Sequence, residues 1–166
     1  MKHLKTLFIA TALFIGATSF TAAQSNIAHI DTQELIKAMP EYKAAQAEIE
    51  KLGKTYQQTI QGSIKELETK LKQYDAEAPS QTQEENQKRM QEVEGMKQSL
   101  NQYQQKAQED LQKKEFDLLK PITEKAKAAI EKVAAAQNID YVLEAGGLIV
   151  AQGKDLMADV KAELGL

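Results

Sequence analysis

The sequence contains no cysteine, and this absence excludes several kinds of chemistry at once. Disulfide bonds, thiol catalysis and thiolate metal sites all require cysteine side chains. A lipoprotein attachment site is excluded for the same reason. Basic residues are not in excess either, because 21 Lys and Arg stand against 24 Asp and Glu. A nucleic-acid partner favours a basic surface, so this balance argues against one.

Catalytic groups are equally scarce. Only His29 of the two histidines lies beyond the first 23 residues, and a solvent-facing or hydrogen-bonded strand residue is a simpler interpretation of it than a lone catalytic base. Carboxylates are plentiful but lie among lysines, as Glu66 does beside Lys70, which is typical of a solvated helix face. No phosphate-binding glycine loop and no metal-ligand spacing occurs. We therefore expect no enzyme, no cofactor and no metal.

Long apolar runs are absent except at residues 7–20, which follow Lys2 and Lys5 and precede the small residues of 21–23. This pattern predicts a secretory signal peptide over residues 1–23, cleaved after Ala23. A membrane anchor is the weaker interpretation, because a span needs about 20 apolar residues. Cleavage leaves 19 basic and 24 acidic residues, a net charge of about −5. We expect a periplasmic protein without stable membrane insertion.

The dominant feature that is present is a polar stretch over residues 41–136 with a thin apolar seam. Seam residues recur every three or four positions, which places them on one face of a helix. They are Ile49, Leu52, Tyr56, Ile60, Ile64, Leu67, Leu71 and Tyr74, then Met90, Val93, Met96, Leu100, Tyr103, Ala107 and Leu111. The break at Ala78-Pro79-Ser80 predicts that two helices fold back as an antiparallel hairpin. We call residues 41–136 the arm; it is too long to lie within a small domain.

The flanking residues 24–40 and 137–166 predict a small head. A strand over 26–30 precedes a short helix, for which Asp31 and Glu34 have capping-box spacing. Residues 139–151 predict a β-hairpin that turns at Gly146-Gly147. Asp155 is expected to cap a last short helix. The predicted fold class is mainly α with a small β part, a long helical-hairpin coiled coil on an oligomerising head.

A head of this size rarely buries enough apolar surface to fold alone, and its strands would have open edges. We therefore predict that it associates with further copies. The expected core or interface residues are Ile27, Ile30, Ile139, Tyr141, Val142, Leu143, Leu148, Ile149 and Val150. Pro121 interrupts the second arm helix without turn residues around it, so we predict a kink that acts as a hinge.

Several segments resemble the Skp/OmpH family of periplasmic chaperones. They are Met39-Pro40-Glu41-Tyr42, Pro121-Ile122, the run from Ala129 to Ala134, the run from Ile139 to Leu143, and the closing helix over 155–164. The resemblance implies a homotrimer in which three arms enclose a cavity. It further implies that the cavity holds unfolded outer-membrane proteins without ATP. The best-known members are strongly basic whereas this chain is acidic, which puts electrostatic client capture and any lipopolysaccharide site in doubt.

Four arm residues are candidates for client contact, namely Tyr74, Met90, Met96 and Tyr103. The simpler interpretation is that they pack in the seam, although flexible methionine also suits surfaces that accept many sequences. Lys88 and Arg89 are the expected source of any attraction to client acids. The alternative function is a structural or adaptor protein of the cell envelope whose coiled-coil hairpin binds one fixed partner.

Overall fold

The computed structural model describes residues 26–166, so the predicted signal peptide lies outside the described residues. Four helices, three short strands and two 3₁₀ turns make up this part of the chain. In order they are β1 (Ile27–Ile30), α1 (Thr32–Ala38), α2 (Pro40–Glu77), a 3₁₀ turn (Ala78–Ser80), α3 (Gln83–Ala136), β2 (Tyr141–Glu144), a second 3₁₀ turn (Ala145–Gly147), β3 (Lys154–Asp155) and α4 (Met157–Leu164). Within residues 26–166 no helix has the length and apolarity to cross a bilayer.

Helices α2 and α3 form the predicted antiparallel hairpin. Pro40 is the first residue of α2, where its missing N–H costs no hydrogen bond. At the tip, the hydroxyl oxygen of Thr82 accepts the backbone N–H of Glu85 at 3.1 Å and caps α3. With 38 residues, α2 is about 57 Å long. The arm therefore extends well beyond the head, as its seam predicts.

Helix α3 runs for 54 residues and continues through Pro121 without a break. Its last part leaves the hairpin and packs into the head, where Ala126, Ala129 and Val133 are buried with residues of the sheet and of α4. It ends at Ala136, and Asn138 then takes a positive φ of 54°, a conformation that asparagine tolerates. One continuous helix thus joins the tip of the arm to the centre of the head.

The strands form one parallel sheet in the order β2-β1-β3. The expected β-hairpin over residues 139–151 is therefore wrong. Gly146 and Gly147 belong to a 3₁₀ turn, and neither takes the positive φ that a tight hairpin requires. After this turn residues 148–151 form no strand, and the chain instead returns to the free edge of β1 as β3. Strand β1 satisfies both of its edges within the chain, which a local hairpin would not achieve.

The head core lies on one side of this sheet. Ala28 and Ile30 point from β1 toward the helices and are almost fully buried, together with Leu35 of α1 and Leu156 and Val160 at α4. The predicted cap of α1 is confirmed, because Asp31 Oδ1 accepts the backbone N–H of Glu34 at 2.8 Å. At α4 the expected cap is displaced by one residue. Leu156 holds the N-cap position, while Asp155 Oδ1 accepts the N–H of Met157 at 2.8 Å.

Candidate functional site

The predicted head residues separate into two groups. Ile30 is buried, and Ile139 and Val142 pack against the core from partly buried positions; Leu148 is also partly buried. The other five have relative exposures between 42% and 103%. These five are Ile27, Tyr141, Leu143, Ile149 and Val150. We call them the open apolar group, because within residues 26–166 nothing buries them.

The strand register explains why three of these side chains share one surface. Ile27 lies opposite Tyr141, and His29 lies opposite Leu143. Partners in a parallel sheet point to the same face, and successive residues alternate between faces. Since Ala28 and Ile30 face the helices, Ile27, Tyr141 and Leu143 occupy the opposite face. A sheet with both faces apolar is typical of one that is covered on both sides.

His29 is the exception on this face, because it is only 9% exposed. Its ring lies against the segment that follows the second 3₁₀ turn, with Nε2 3.2 Å from the carbonyl oxygen of Gly153. This matches the expectation of a hydrogen-bonded strand residue. The structure shows no cluster of potential metal ligands around it or elsewhere in residues 26–166.

The four candidate client-contact residues of the arm differ in how they are placed. The hydroxyl of Tyr74 donates to Glu92 at 2.5 Å, and its ring lies 4.6 Å from the guanidinium of Arg89. Tyr103 packs edge-on against Tyr56, with ring centroids 5.8 Å apart. Both tyrosines are partly buried and contact other residues of the hairpin. This is the placement expected if they pack in the seam.

Met90 is largely exposed, whereas Met96 is partly buried. Two grooves run along the hairpin near these residues. One, of about 520 Å³, brings Tyr74 and Met90 together with Leu71 and Val93. Another, of about 570 Å³, is lined by Met96 and Tyr103 among mostly polar neighbours. The candidate contact residues thus do not form a single site.

Charge at the tip is neutralised by neighbouring side chains. The Arg89 side chain is mostly buried and pairs with Glu77 at 2.8 Å and Glu85 at 3.5 Å. Lys88 pairs with Glu84 at 3.2 Å. Lys88 and Arg89, the two cations that the sequence suggested for binding acidic side chains of clients, are thus both paired with carboxylates of the same chain. Arg89 in particular is a structural residue of the tip.

A second polar cluster lies one turn below. Lys70 and Tyr74 both donate to the carboxylate of Glu92. The hydrogen bond from Lys70, followed by that from Tyr74, lowers the pKa of Glu92. The bond to Glu92 in turn raises the pKa of the Tyr74 hydroxyl, and the pKa of Lys70 is raised by the same carboxylate. The cluster therefore favours ionised Glu92 and Lys70 and ties α2 to α3.

Sequence reasoning missed Phe116, which is among the most exposed apolar side chains of the arm. At 100° per residue Phe116 lies about 200° around α3 from Leu118, which packs toward the core, so it faces away from α2. With Leu119 it lines a shallow groove of about 610 Å³. In the sequence, Phe116 does not follow the three-and-four spacing of the seam, and this could have indicated an exposed apolar residue.

Comparisons with known proteins agree with this architecture. The family model described as outer membrane protein (OmpH-like) matches residues 26–164. Among solved structures, an OmpH-like protein from Caulobacter crescentus, described as a candidate outer membrane chaperone, superposes with a TM-score of 0.76. The two chains are 16% identical, and the match covers 84% of this chain and 83% of the other. At that identity the likeness shows the fold alone. No curated protein gave a significant match.

Proposed function

The chain belongs to the OmpH-like family, and on that premise we propose that it is an ATP-independent holdase chaperone of the periplasm. It binds unfolded outer-membrane proteins and prevents their aggregation. The observation that carries this proposal is the arm itself. Helices α2 and α3 bury a seam on each other yet leave Leu71, Met90 and Phe116 exposed along a projection of about 57 Å. Scattered exposed apolar side chains provide many weak contacts and no deep pocket.

We propose that the head assembles three copies into a homotrimer through the open apolar group. The three-stranded sheet is covered by helices on one face only, and the group occupies the other face and the adjoining segment. Large exposed apolar patches are typical of protein–protein interfaces. Three subunits, which the family resemblance implies, would direct three arms around one cavity.

Client binding in such a cavity depends on repetition. Each exposed apolar side chain contributes weakly, but three arms around one client raise the local concentration of contacts. A methionine such as Met90 adapts its shape to different partners. Apolar contact also tolerates salt, which fits a chain whose tip cations are paired with its own carboxylates. Pro121, near the base of the arm, is the proposed hinge that lets the cavity fit clients of different size.

The test is an aggregation assay with several unrelated unfolded β-barrel proteins diluted from denaturant. We expect the processed chain to suppress aggregation of all of them without ATP. Met90→Gln and Phe116→Gln should weaken suppression, whereas the matched control Gln91→Asn, on the exposed surface of the same helix, should not. Activity toward one partner alone would instead identify an envelope adaptor. If a chain that carries both Met90→Gln and Phe116→Gln kept full activity, these side chains would be shown not to contact clients.

A further inference from the structure

The two sides of the arm differ in the polar contacts that cross between its helices. Within residues 26–166, six ion pairs or hydrogen bonds join a side chain of α2 to a side chain of α3. The contacts join Glu41 to Lys125, Glu48 to Lys114, Tyr56 to Asp110, Lys70 and Tyr74 to Glu92, and Glu77 to Arg89. All six reach the same side of the hairpin, which we call the bridged flank.

Spacing on α3 shows that these contacts share one side. Asp110 follows Glu92 by 18 residues, which is about five whole turns of helix. Lys114 and Lys125 follow Glu92 by 22 and 33 residues, close to about six and nine whole turns. A whole number of turns returns a residue to the same side of its helix. The partners that α3 offers to α2 therefore form one row along the arm.

Spacing on α2 agrees with this row. Glu77 follows Lys70 by seven residues, and residues at that interval return to the same side of a coiled-coil helix. Glu48 follows Glu41 by the same interval. Tyr56 lies between the two sets, and its hydroxyl donates at 3.0 Å to a carboxylate in the same row of α3. The bridged flank thus runs from the base of the arm to its tip.

The opposite side of the outer half of the arm is different. Leu71 lies about 100° around α2 from Lys70, and Met90 lies about 160° around α3 from Glu92. Leu71 and Met90 line the groove of about 520 Å³, whereas Lys70 and Glu92 line the separate groove of about 570 Å³. Ile64, seven residues before Leu71, continues the same side. We call the side that carries Ile64, Leu71 and Met90 the unbridged flank.

The groove of the unbridged flank combines apolar walls with a rim of mixed charge. Leu71 and Met90 supply apolar surface, and Asp75, Glu94 and Lys97 lie around it. Two acids and one base create no strong field of a single sign. Charge complementarity therefore favours an occupant that has few charges of its own.

The exposed apolar area of this flank is too small to hold a folded partner. Ile64, Leu71 and Met90 are 37%, 41% and 66% exposed. A stable interface between folded proteins buries about 1,200–2,000 Å², and three partly exposed side chains offer far less. An unfolded chain can use such a surface, because it is held by many small contacts on several arms. Strands of outer-membrane barrels also suit it, since they are segments of about ten residues in which apolar and polar side chains alternate.

We propose that the unbridged flank is the surface of the arm that binds extended, uncharged segments of an unfolded chain, and that the bridged flank joins the two helices and faces solvent. This inference rests on the proposed function and identifies the side of the arm on which it acts. Apolar side chains of a bound segment occupy the groove between Leu71 and Met90. Because the six polar contacts reach the other flank, a segment binds here without breaking any of them.

The methionines provide a test that needs no aggregating client. Only Met39, Met90, Met96 and Met157 follow residue 23, so the ¹³C-methyl methionine spectrum of the processed chain is simple. Met90 lines the groove of the unbridged flank, and Met96 lines the groove of the bridged flank. An uncharged peptide of about ten residues that alternates tyrosine and serine mimics one barrel strand. We expect its rings to shift the Met90 resonance and to leave the Met96 resonance unchanged. A larger shift at Met96, equal shifts at both, or no shift at either overturns the proposal.

The absence of cysteine allows a second test by site-specific crosslinking. Asp75→Cys and Glu66→Cys are a matched pair, because each removes one exposed carboxylate of α2 that takes no part in the six contacts. Asp75 lines the groove of the unbridged flank, and Glu66 lines the groove of the bridged flank. With a benzophenone attached, position 75 should crosslink an unfolded β-barrel protein about ten times as efficiently as position 66, the ratio that a preference of about 1.4 kcal/mol gives.

Equal crosslinking yields, or a higher yield from position 66, overturn the assignment of the flanks. Crosslinking of position 75 to another copy of the chain, undiminished by added client, would assign this flank to a contact between arms and would also overturn it. The two proposals fail separately. If the aggregation assay fails while the peptide still shifts Met90, the holdase is wrong and the binding flank stands. If aggregation is suppressed while Met96 responds in place of Met90, the holdase stands and the flank is wrong.

Discussion

Replacement of Ile149 by aspartate tests whether the open apolar group holds subunits together. Ile149 has a relative exposure of 103%, so its side chain makes no contact that buries it within the single chain. Ile149→Asp should therefore disturb no packing within a single chain. Any effect on association must then arise from contacts with another copy.

The expected loss of association free energy follows from the apolar surface that Ile149 would bury in the trimer. Full burial of an isoleucine side chain contributes about 1.5–3 kcal/mol. In the proposed trimer each of three subunits loses this term, which gives about 4.5–9 kcal/mol before any cost of burying the carboxylate. At 1.4 kcal/mol per factor of ten, the dissociation constant of the trimer rises by between about three and six orders of magnitude. The concentration at half-assembly varies as the square root of that constant, so it should rise between about 40-fold and 1,600-fold.

Sedimentation equilibrium over a range of protein concentrations measures this shift. Gln152→Asp is the matched control, because it places the same charge in the same segment at an exposed polar position. We expect the control to assemble as the native chain does. The interface assignment is refuted if Ile149→Asp keeps the native mass distribution, or if both variants dissociate equally. Helical circular dichroism comes mainly from the two long helices and should be unchanged in both variants, which would confirm that the arm remains folded.

Four further outcomes follow from the structure. Leu35→Ala should lower the free energy of unfolding by about 2–5 kcal/mol in urea titrations, whereas Leu71→Ala, at an exposed position, should cost much less. Glu92 has a lowered pKa, so its ionised carboxylate stabilises the folded arm. This stabilisation is fully present above the ordinary carboxyl pKa and is lost as the pH falls through the lowered value. The protection factors of amides near the tip, which are corrected for the intrinsic pH dependence of exchange, should fall in acid, and Glu92→Gln should remove that fall. Pro121→Ala should narrow the distribution of distances between labelled arm tips; an unchanged distribution would contradict the hinge. Client affinity should fall less than about tenfold from low to high salt, because apolar contact is not screened.

The arm could be predicted almost entirely from local sequence. Its seam repeats every three or four residues, and its ends carry local signals such as Pro40 and the cap at Thr82. These signals act within one or two turns of helix, so they survive whatever the rest of the chain does. The seam could not reveal which side chains stay exposed, since Met90 and Met96 have similar spacing but different burial.

The head shows where local reasoning fails. Short apolar runs predicted that strands exist near residues 27 and 141, and they do. The partner of each strand is decided by contacts between distant residues, because β1 pairs with β2 across more than a hundred positions. Gly146-Gly147 has the composition of a hairpin turn, yet tertiary pairing to β1 overrides it. The spacing of the seam identifies only residues on the face that α3 turns toward α2, so it does not identify Phe116 on another face of the helix.

The position of β1 at the centre of the sheet also has a consequence for the order of folding. Asn26 and Asp140 are hydrogen-bonded although they are 114 positions apart. Closing so long a loop in a disordered chain carries a large entropic cost, and non-local pairing of this kind is slow. Once the hairpin has formed, however, the start of α2 and the last third of α3 already lie side by side. The N-terminal strand is synthesised first and remains unpaired until the arm has brought its partners back to it. Formation of the arm thus allows the head, which is built from the two ends of the described chain, to form without the slow closure of a long disordered loop.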